Sequence, residues 1–250
     1  MTGNAAHPLI DDFHLLSYDE VDSTNDEAKR LAEGGASHGA FLWAKRQTAG
    51  RGRMGRSWVS SEGNLFVSVL LKPDVMQERF SELSFVSALA VLETLQPIVG
   101  AQCTLRLKWP NDILLDDRKV GGILLESFQT TDGEMWAVVG LGINIEHHPE
   151  EVLFPATCLK EAGVQIVSAK IVLSRFIHHF IQQYDAWMEN GFPPVRAAWR
   201  DHGWRLGQEI QVTSGNDKIS GRFEDIDEQG RLRLVMPGGT RRIISAGDVA

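Results

Sequence analysis

Polar and apolar positions along the chain alternate with two periods, and the switches between them mark out the elements. Residues 23–32 read as a helix: Asp22 or Ser23 can cap it, Asp26 and Glu27 lie near its positive end, and Ala28, Leu31 and Ala32 make a short apolar face. Gly34 and Gly35 stop it. The apolar run 40–44 predicts a buried strand, and LFVSVLL at 65–71 predicts another. Residues 78–95 predict a helix, because Leu83, Val86 and Ala90 recur every three or four positions while Phe85, Leu89 and Leu92 widen the face. Segments 105–109 and 119–128 alternate as strands do. Residues 135–145 are apolar but carry Gly140 and Gly142, which predicts a strand whose bare backbone something packs against. The longest helix is expected over 169–188, with Val172, Phe176, Phe180, Tyr184 and Trp187 along one side.

Residues 191–194 break this pattern. After Trp204 the texture becomes short strands, at 210–213, 218–225, 231–236 and 240–244, with Gly215, Asn216, Gly230, Gly238 and Gly239 at the turns. This predicts a small β-barrel over 204–250. Alone it would bury too little surface to be secure, so it should lean on a larger domain at 1–203.

Charge sharpens the picture. The chain has a formal net charge of -8, yet residues 45–58 (KRQTAGRGRMGRSW) carry five positive charges and no acid. An acidic chain with one basic loop argues against a nucleic-acid surface and for a local anion site. Gly50, Gly52 and Gly55 satisfy G-x-G-x-x-G, but Arg46 to Ala49 separate them from the preceding strand and the following residues make a poor helix, so this is not a dinucleotide fingerprint. What remains is a flexible loop whose Arg51, Arg53 and Arg56 suit carboxylate or phosphate, with Trp58 able to stack on a flat ring or cap a pocket.

A second polar cluster, KWPNDILLDDRK at 108–119, offers Lys108, Asn111, Asp112 and Lys119. Asn111 can serve a base edge or a ribose, Asp112 can reach Mg²⁺ directly or through water, and Lys119 opens a strand beside Gly121 and Gly122. Asn144, polar inside an apolar strand, either lines a nucleotide pocket or satisfies neighbouring backbone. The adjacent pairs His147/His148 and His178/His179 lack a metal-ligand frame and read as structural or surface residues. Cys103 and Cys158 make no disulfide framework and fit a reducing compartment. Residues 1–14 lack a signal-peptide pattern, being interrupted by Asp11, Asp12 and His14, and no run approaches 18 consecutive apolar residues, so the cytoplasm is the default.

The motifs STN (23–25), QTAGRGRMGRSW (47–58), KWPND (108–112), RKVGGIL (118–124) and GLGINI (140–145), in this order, resemble the biotin protein ligase family; RLGQEIQV and IDEQGRLRL in the tail do so too. The resemblance implies an α/β catalytic domain with a mixed β-sheet flanked by helices, related to class II aminoacyl-tRNA synthetases and lipoate ligases, followed by an SH3-like β-barrel. It implies that biotin and ATP, with Mg²⁺, give biotinyl-5'-AMP, and that the biotinyl group passes to one lysine of a biotin carboxyl carrier domain. It assigns Ser23, Thr24, Asn25, Gln47, Gly50, Arg51 and Arg53 to biotin; Arg53, Trp58, Asn111, Asp112, Lys119, Gly142 and Asn144 to ATP or the adenylate; and Lys119, Arg53 and Arg51 to catalysis. Asp112 would also be the Mg²⁺ ligand or orient the acceptor amine. Met54 stands where many relatives carry arginine. Only 22 residues precede Ser23, too few for the DNA-binding domain of repressor relatives, so repressor activity is not expected.

Other readings are a lipoate or octanoate ligase of the same fold, a non-catalytic biotin sensor, and a nucleic-acid module. Neither a nucleic acid nor a membrane is an expected partner, and both a monomer and a homodimer are open.

Overall fold

A computed structural model describes residues 7–10, 13–150, 152, 154–164 and 168–250. Asp11 and Asp12, used above in the signal-peptide reading, lie outside these. The N-terminal part runs β1 (His7–Ile10), β2 (Phe13–Val21), α1 (Thr24–Glu33), β3 (Ala40–Gln47), β4 (Leu65–Leu71), α2 (Leu83–Val99), β5 (Leu105–Lys108), β6 (Asp112–Leu115), β7 (Arg118–Gln129), β8 (Met135–Ile143), α3 (Ala169–Asn190) and α4 (Phe192–Asp201). Among the described residues its strands form one eight-stranded sheet in the order β1-β2-β3-β4-β8-β7-β6-β5. Only β2 and β3 run parallel, joined by the α1 crossover, so the sheet is mixed.

The two faces of the sheet are covered differently. All seven residues of β4 are buried because it sits between β3 and β8 with helices on both sides. Leu65, Val67, Val69 and Leu71 join the main core with α2 and α3. Leu70, on the opposite face, packs with Ala28 and Ala32 of α1, together with Ala40, Leu42, Trp136 and Val138. Small residues on α1 let it lie close to the sheet. The helical run Gln77–Val99 is long and apolar enough to cross a bilayer by length and composition, but most of it is buried in this core.

Four elements of this part of the chain were not expected, β1 among them. β2 has only Phe13 fully buried, so no apolar alternation announces it. β6 lies between the strands expected at 105–109 and 119–128, and α4 starts inside the expected break at 191–194. Its prolines Pro193 and Pro194 instead occupy the first turn, where the missing N–H is no loss.

The SH3-like barrel is not formed. The C-terminal strands β9 (Glu209–Ser214), β10 (Asp217–Ile226), β11 (Leu232–Val235), β12 (Arg241–Ile244) and β13 (Asp248–Val249) make an open antiparallel sheet in the order β12-β11-β10-β9-β13. Closure would require hydrogen bonds between the two edge strands. β13 is two residues long and pairs with β9, and β12 pairs with β11. Exposed Arg241 and Arg242 blunt the β12 edge, which is how open sheets protect themselves. Burial comes from packing on the eight-stranded part of the chain instead. Trp109 donates its Nε1–H to the Gly230 carbonyl at 2.9 Å, Arg196 donates to the Ile226 carbonyl at 2.7 Å, and Phe223 stands against Trp199. The main core cluster takes in buried residues of both sheets.

Candidate active site

Cross-strand register builds the floor of the site. On the α1 face, Asp112 of β6, Gly122 of β7, Gly142 of β8, Phe66 of β4 and Ala44 of β3 form one transverse row. Leu124, Gly140, Ser68 and Leu42 form the next. Above the floor is a cavity of about 720 Å³, walled by the N-terminus of α1, the arginine loop and the end of the C-terminal sheet. That volume suits a cofactor-sized ligand.

One end of the cavity is a hydrogen-bonded polar recess. Gln47 Oε1 accepts from the Thr24 N–H at 2.8 Å and from the Thr24 hydroxyl at 3.1 Å, and Gln47 Nε2 donates to Ser60 Oγ at 3.0 Å. Ser68 Oγ lies 2.7 Å from Thr24 Oγ1 and 2.6 Å from Asn25 Oδ1. Asn25 Nδ2 donates to Glu126 at 2.7 Å and to the Leu124 carbonyl at 3.3 Å. Ser23, Thr24 and Asn25 are all buried, so this network holds the recess in shape.

Gly140 is what admits Asn25. A Cβ on Gly140 would stand 2.3 Å from Asn25 Oδ1. Gly140→Ala is therefore expected to push Asn25 off its partners and leave buried polar groups unpaired, costing about 2 kcal/mol. Urea denaturation of the variant checks this; an unchanged midpoint would show that the recess relaxes freely.

The other end is cationic. Asp112 lies between two lysines, 2.5 Å from Lys119 Nζ and 3.4 Å from Lys108 Nζ. Burial pushes the Asp112 carboxyl up, but Lys119 and Lys108 outweigh it, so its pKa falls below the ordinary carboxylate value. Burial pushes Lys108 below the ordinary lysine value against the opposing pull of Asp112, and its ammonium also stands 4.2 Å from the Phe154 ring centroid. Arg53 is lowered by burial and held by Asp248 and Asp112; its guanidinium donates to Asn111 Oδ1 at 3.1 Å and to the Gly247 carbonyl at 3.3 Å. Arg53 and Lys119 thus line the same cavity with Asp112 as a shared neighbour.

The basic loop is folded rather than open. Trp58 N–H donates to the Gly50 carbonyl, Gly52 N–H donates to the Arg56 carbonyl, and Arg51 bridges Ser57. Trp58 lies flat over the floor. A Cβ on Gly142 would meet its indole at 2.5 Å, and one on Gly122 would meet it at 3.2 Å. Lys119 Nζ is 5.3 Å from the same ring centroid, and the Trp58 Nε1–H is buried without a hydrogen-bond partner among the described residues. Met54, at φ 57° and largely exposed, turns the loop at its tip.

Of the residues singled out in the sequence, Ser23, Thr24, Asn25, Gln47, Arg51, Arg53, Trp58, Asn111, Asp112, Lys119, Gly142 and Asn144 all line the cavity. Gly50 does not; a side chain there would strike Ser60 and Trp58 of its own loop, so it serves loop closure. Arg51 sits at the rim, paired with Asp26 at 2.6 Å and Glu126 at 3.3 Å. Asn144 both lines the cavity and donates to the Thr157 carbonyl at 3.1 Å. Asn111 donates to the Ile123 carbonyl at 2.7 Å.

Sequence reasoning missed Ser68, Glu126 and Asp248. Ser68 had a signal, being the lone polar residue in LFVSVLL. Asp248 had none: it arrives from β13, 3.6 Å from Arg53 and 3.1 Å from Arg56, closing the cavity with the C-terminal sheet.

A mixed α/β sheet with a polar recess at one end of a cavity and paired lysines at the other defines a protein that binds a small molecule beside an anion such as phosphate. Residues 19–144 match the biotin/lipoate A/B protein ligase family, and residues 206–250 match the biotin protein ligase C terminal domain. The chain belongs to this family. It is 37% identical to the biotin--[acetyl-CoA-carboxylase] ligase of Paracoccus denitrificans over 92% of this chain and 97% of that one. It is 33% identical to the bifunctional ligase/repressor of Bacillus subtilis over 93% of this chain and 73% of that one. The biotin protein ligase of Aquifex aeolicus, solved in complex with biotin and ATP, superposes with a TM-score of 0.79 at 32% identity, covering 94% of this chain and 97% of that one.

Proposed function

We propose that this chain activates biotin with ATP as biotinyl-5'-AMP and transfers the biotinyl group to a lysine of a biotin carboxyl carrier domain. The observation that carries this reading is the union, in one cavity, of a polar recess suited to a ureido head and a lysine-rich end suited to a condensing carboxylate and phosphate. A saturated acyl chain would leave the recess of Thr24, Asn25 and Gln47 without use, which favours biotin over lipoate or octanoate.

In the first step a carboxylate oxygen attacks the α-phosphorus and the bond to pyrophosphate breaks. Two anions must meet, and Lys119 and Arg53 offset their repulsion. Lys119 is held in readiness by Asp112 and would exchange that partner for the reactants. Trp58 covers the bare backbone at Gly122 and Gly142 and would offer its face to the adenine. The folded loop, as a lid over the cavity, would keep water from the acyl phosphate. In the second step the neutral amine of the acceptor lysine attacks the acyl carbon, AMP leaves with the bonding electrons, and the amine proton passes to solvent.

Asp112 does not suit a Mg²⁺ ligand, because its carboxylate is already shared by two ammonium groups in a cationic neighbourhood. Mg²⁺ commonly keeps its waters and rides on substrate phosphates. We therefore assign it no ligand in this chain and no step.

Incubation with ATP, Mg²⁺, a carrier domain and either biotin or lipoate tests the reading by intact-mass spectrometry. Expected is a gain of one biotinyl group at a single carrier lysine and no lipoyl adduct. A lipoyl adduct without a biotinyl one, or no adduct at all, would overturn it.

A further inference from the structure

Behind the Asn144 wall of the cavity, three ligand-bearing side chains from two segments converge. His148 follows β8; Cys158 and Glu161 lie in the turn that precedes α3. Their donor atoms all lie within 4.8 Å of one another. None of the three has a part in the reaction described above.

The hydrogen bonding around His148 points to a cation. Its Nδ1 is 3.1 Å from the Pro149 carbonyl, which can only accept, so Nδ1 carries the hydrogen. Its Nε2 faces Glu161 Oε2 at 2.5 Å. With Nδ1 on the carbonyl, the Nε2 lone pair and the Glu161 oxygen converge on one point as a pair of ligand atoms. Fixing one ring nitrogen on a backbone carbonyl is also how proteins prepare histidine for a metal. Glu161 is oriented in turn by Arg118, 2.8 Å from its other oxygen. Cys158 is buried and directs Sγ to the Glu146 carbonyl at 3.4 Å.

We propose that His148, Cys158 and Glu161 form a three-ligand site for a borderline-soft divalent cation of the Zn²⁺ class. Thiolate with imidazole and carboxylate selects Zn²⁺ over Mg²⁺ or Ca²⁺. Tetrahedral coordination with bonds of about 2.0–2.3 Å puts donors roughly 3.3–3.7 Å apart. The His148–Glu161 contact opens and the wider separations close by about 1 Å, within reach of side-chain rotation. Ligation needs the thiolate and an unprotonated Nε2, so binding releases protons to solvent. The ion ties the segment after β8 to the turn before α3. It thereby braces Thr157, whose carbonyl holds Asn144, and Pro149, which also lines the cavity.

The full chain, stripped with chelator, is titrated with Co²⁺ alone and followed by absorption. Expected is saturation at one equivalent, with a thiolate-to-cobalt charge-transfer band that equimolar Zn²⁺ removes. Cys158→Ser abolishes the band. His148→Asn, a change at a partly exposed side chain that leaves the core intact, weakens Co²⁺ binding by more than the roughly 10–100-fold that losing an outer-sphere partner costs. Circular dichroism verifies that both variants are folded. No band in the folded wild type, a band that survives in Cys158→Ser and so belongs to Cys103, or unchanged affinity in His148→Asn would each overturn the proposal.

Discussion

Lys119→Ala is expected to lower biotin-dependent exchange of pyrophosphate into ATP by about 10²–10³-fold, the loss that follows removal of one preorganised charge at a reacting oxygen. Lys119 opens β7, where its backbone N–H donates to the Pro155 carbonyl at 2.7 Å and its carbonyl accepts from the Thr157 N–H at 2.9 Å. Alanine keeps both bonds, so the strand and its neighbour survive. The side chain beyond Cβ is lost, and with it the ammonium's contact to Asp112 at 2.5 Å. The loss should appear in the exchange rate more than in biotin binding, because the recess at Thr24, Asn25 and Gln47 does not include Lys119. Wild-type exchange in the folded variant would remove Lys119 from the reaction and leave Arg53 and Lys108 as the cations that matter.

Asp112→Asn is expected to cost about 3 kcal/mol of stability, the low end of the range for breaking a buried charge cluster by removing one partner. The Asp112 side chain is only 13% exposed, with Lys108 and Lys119 against it. An amide cannot offset two ammonium groups, and Lys108 is already held below its ordinary pKa by burial. The effect has a pH signature. Because the folded-state pKa of Asp112 is depressed, its contribution is complete above the unfolded value of about 3.9 and is lost as pH falls through the folded one. The gap between wild type and variant in urea should therefore be widest near neutrality and shrink below about pH 4. Equal midpoints at pH 7 would mean that solvent, not Asp112, balances the lysines.

Much of this site could be read before folding. LFVSVLL announced a buried strand because every position is apolar but one, and Leu83, Val86 and Ala90 announced α2 by period. Gly140 and Gly142 signalled close packing, and that packing proved to be Asn25 on one and Trp58 on the other. β2 was missed because its half-exposed residues carry no clean alternation. The barrel was expected because short strands and glycine turns are local signals of hairpins, whereas closure depends on which edges meet. Arg51 was grouped with Arg53 because both are arginines in one loop; folding turns one to the acidic rim of Asp26 and Glu126 and the other inward.

Taken alone, the amino-acid order determined the kind and buried face of its clearly periodic segments, and the residue types able to handle an anion. Periodicity records which side of a strand is apolar, and side-chain chemistry records what can bind. Neither records partners. Only the tertiary structure decided that β2 pairs in parallel with β3, that Ser68 lies across from Gly140, and that Asp248 arrives from the far end of the chain beside Arg53. Those contacts join residues tens to hundreds of positions apart, and they exist because burying two sheets against one core brings them together.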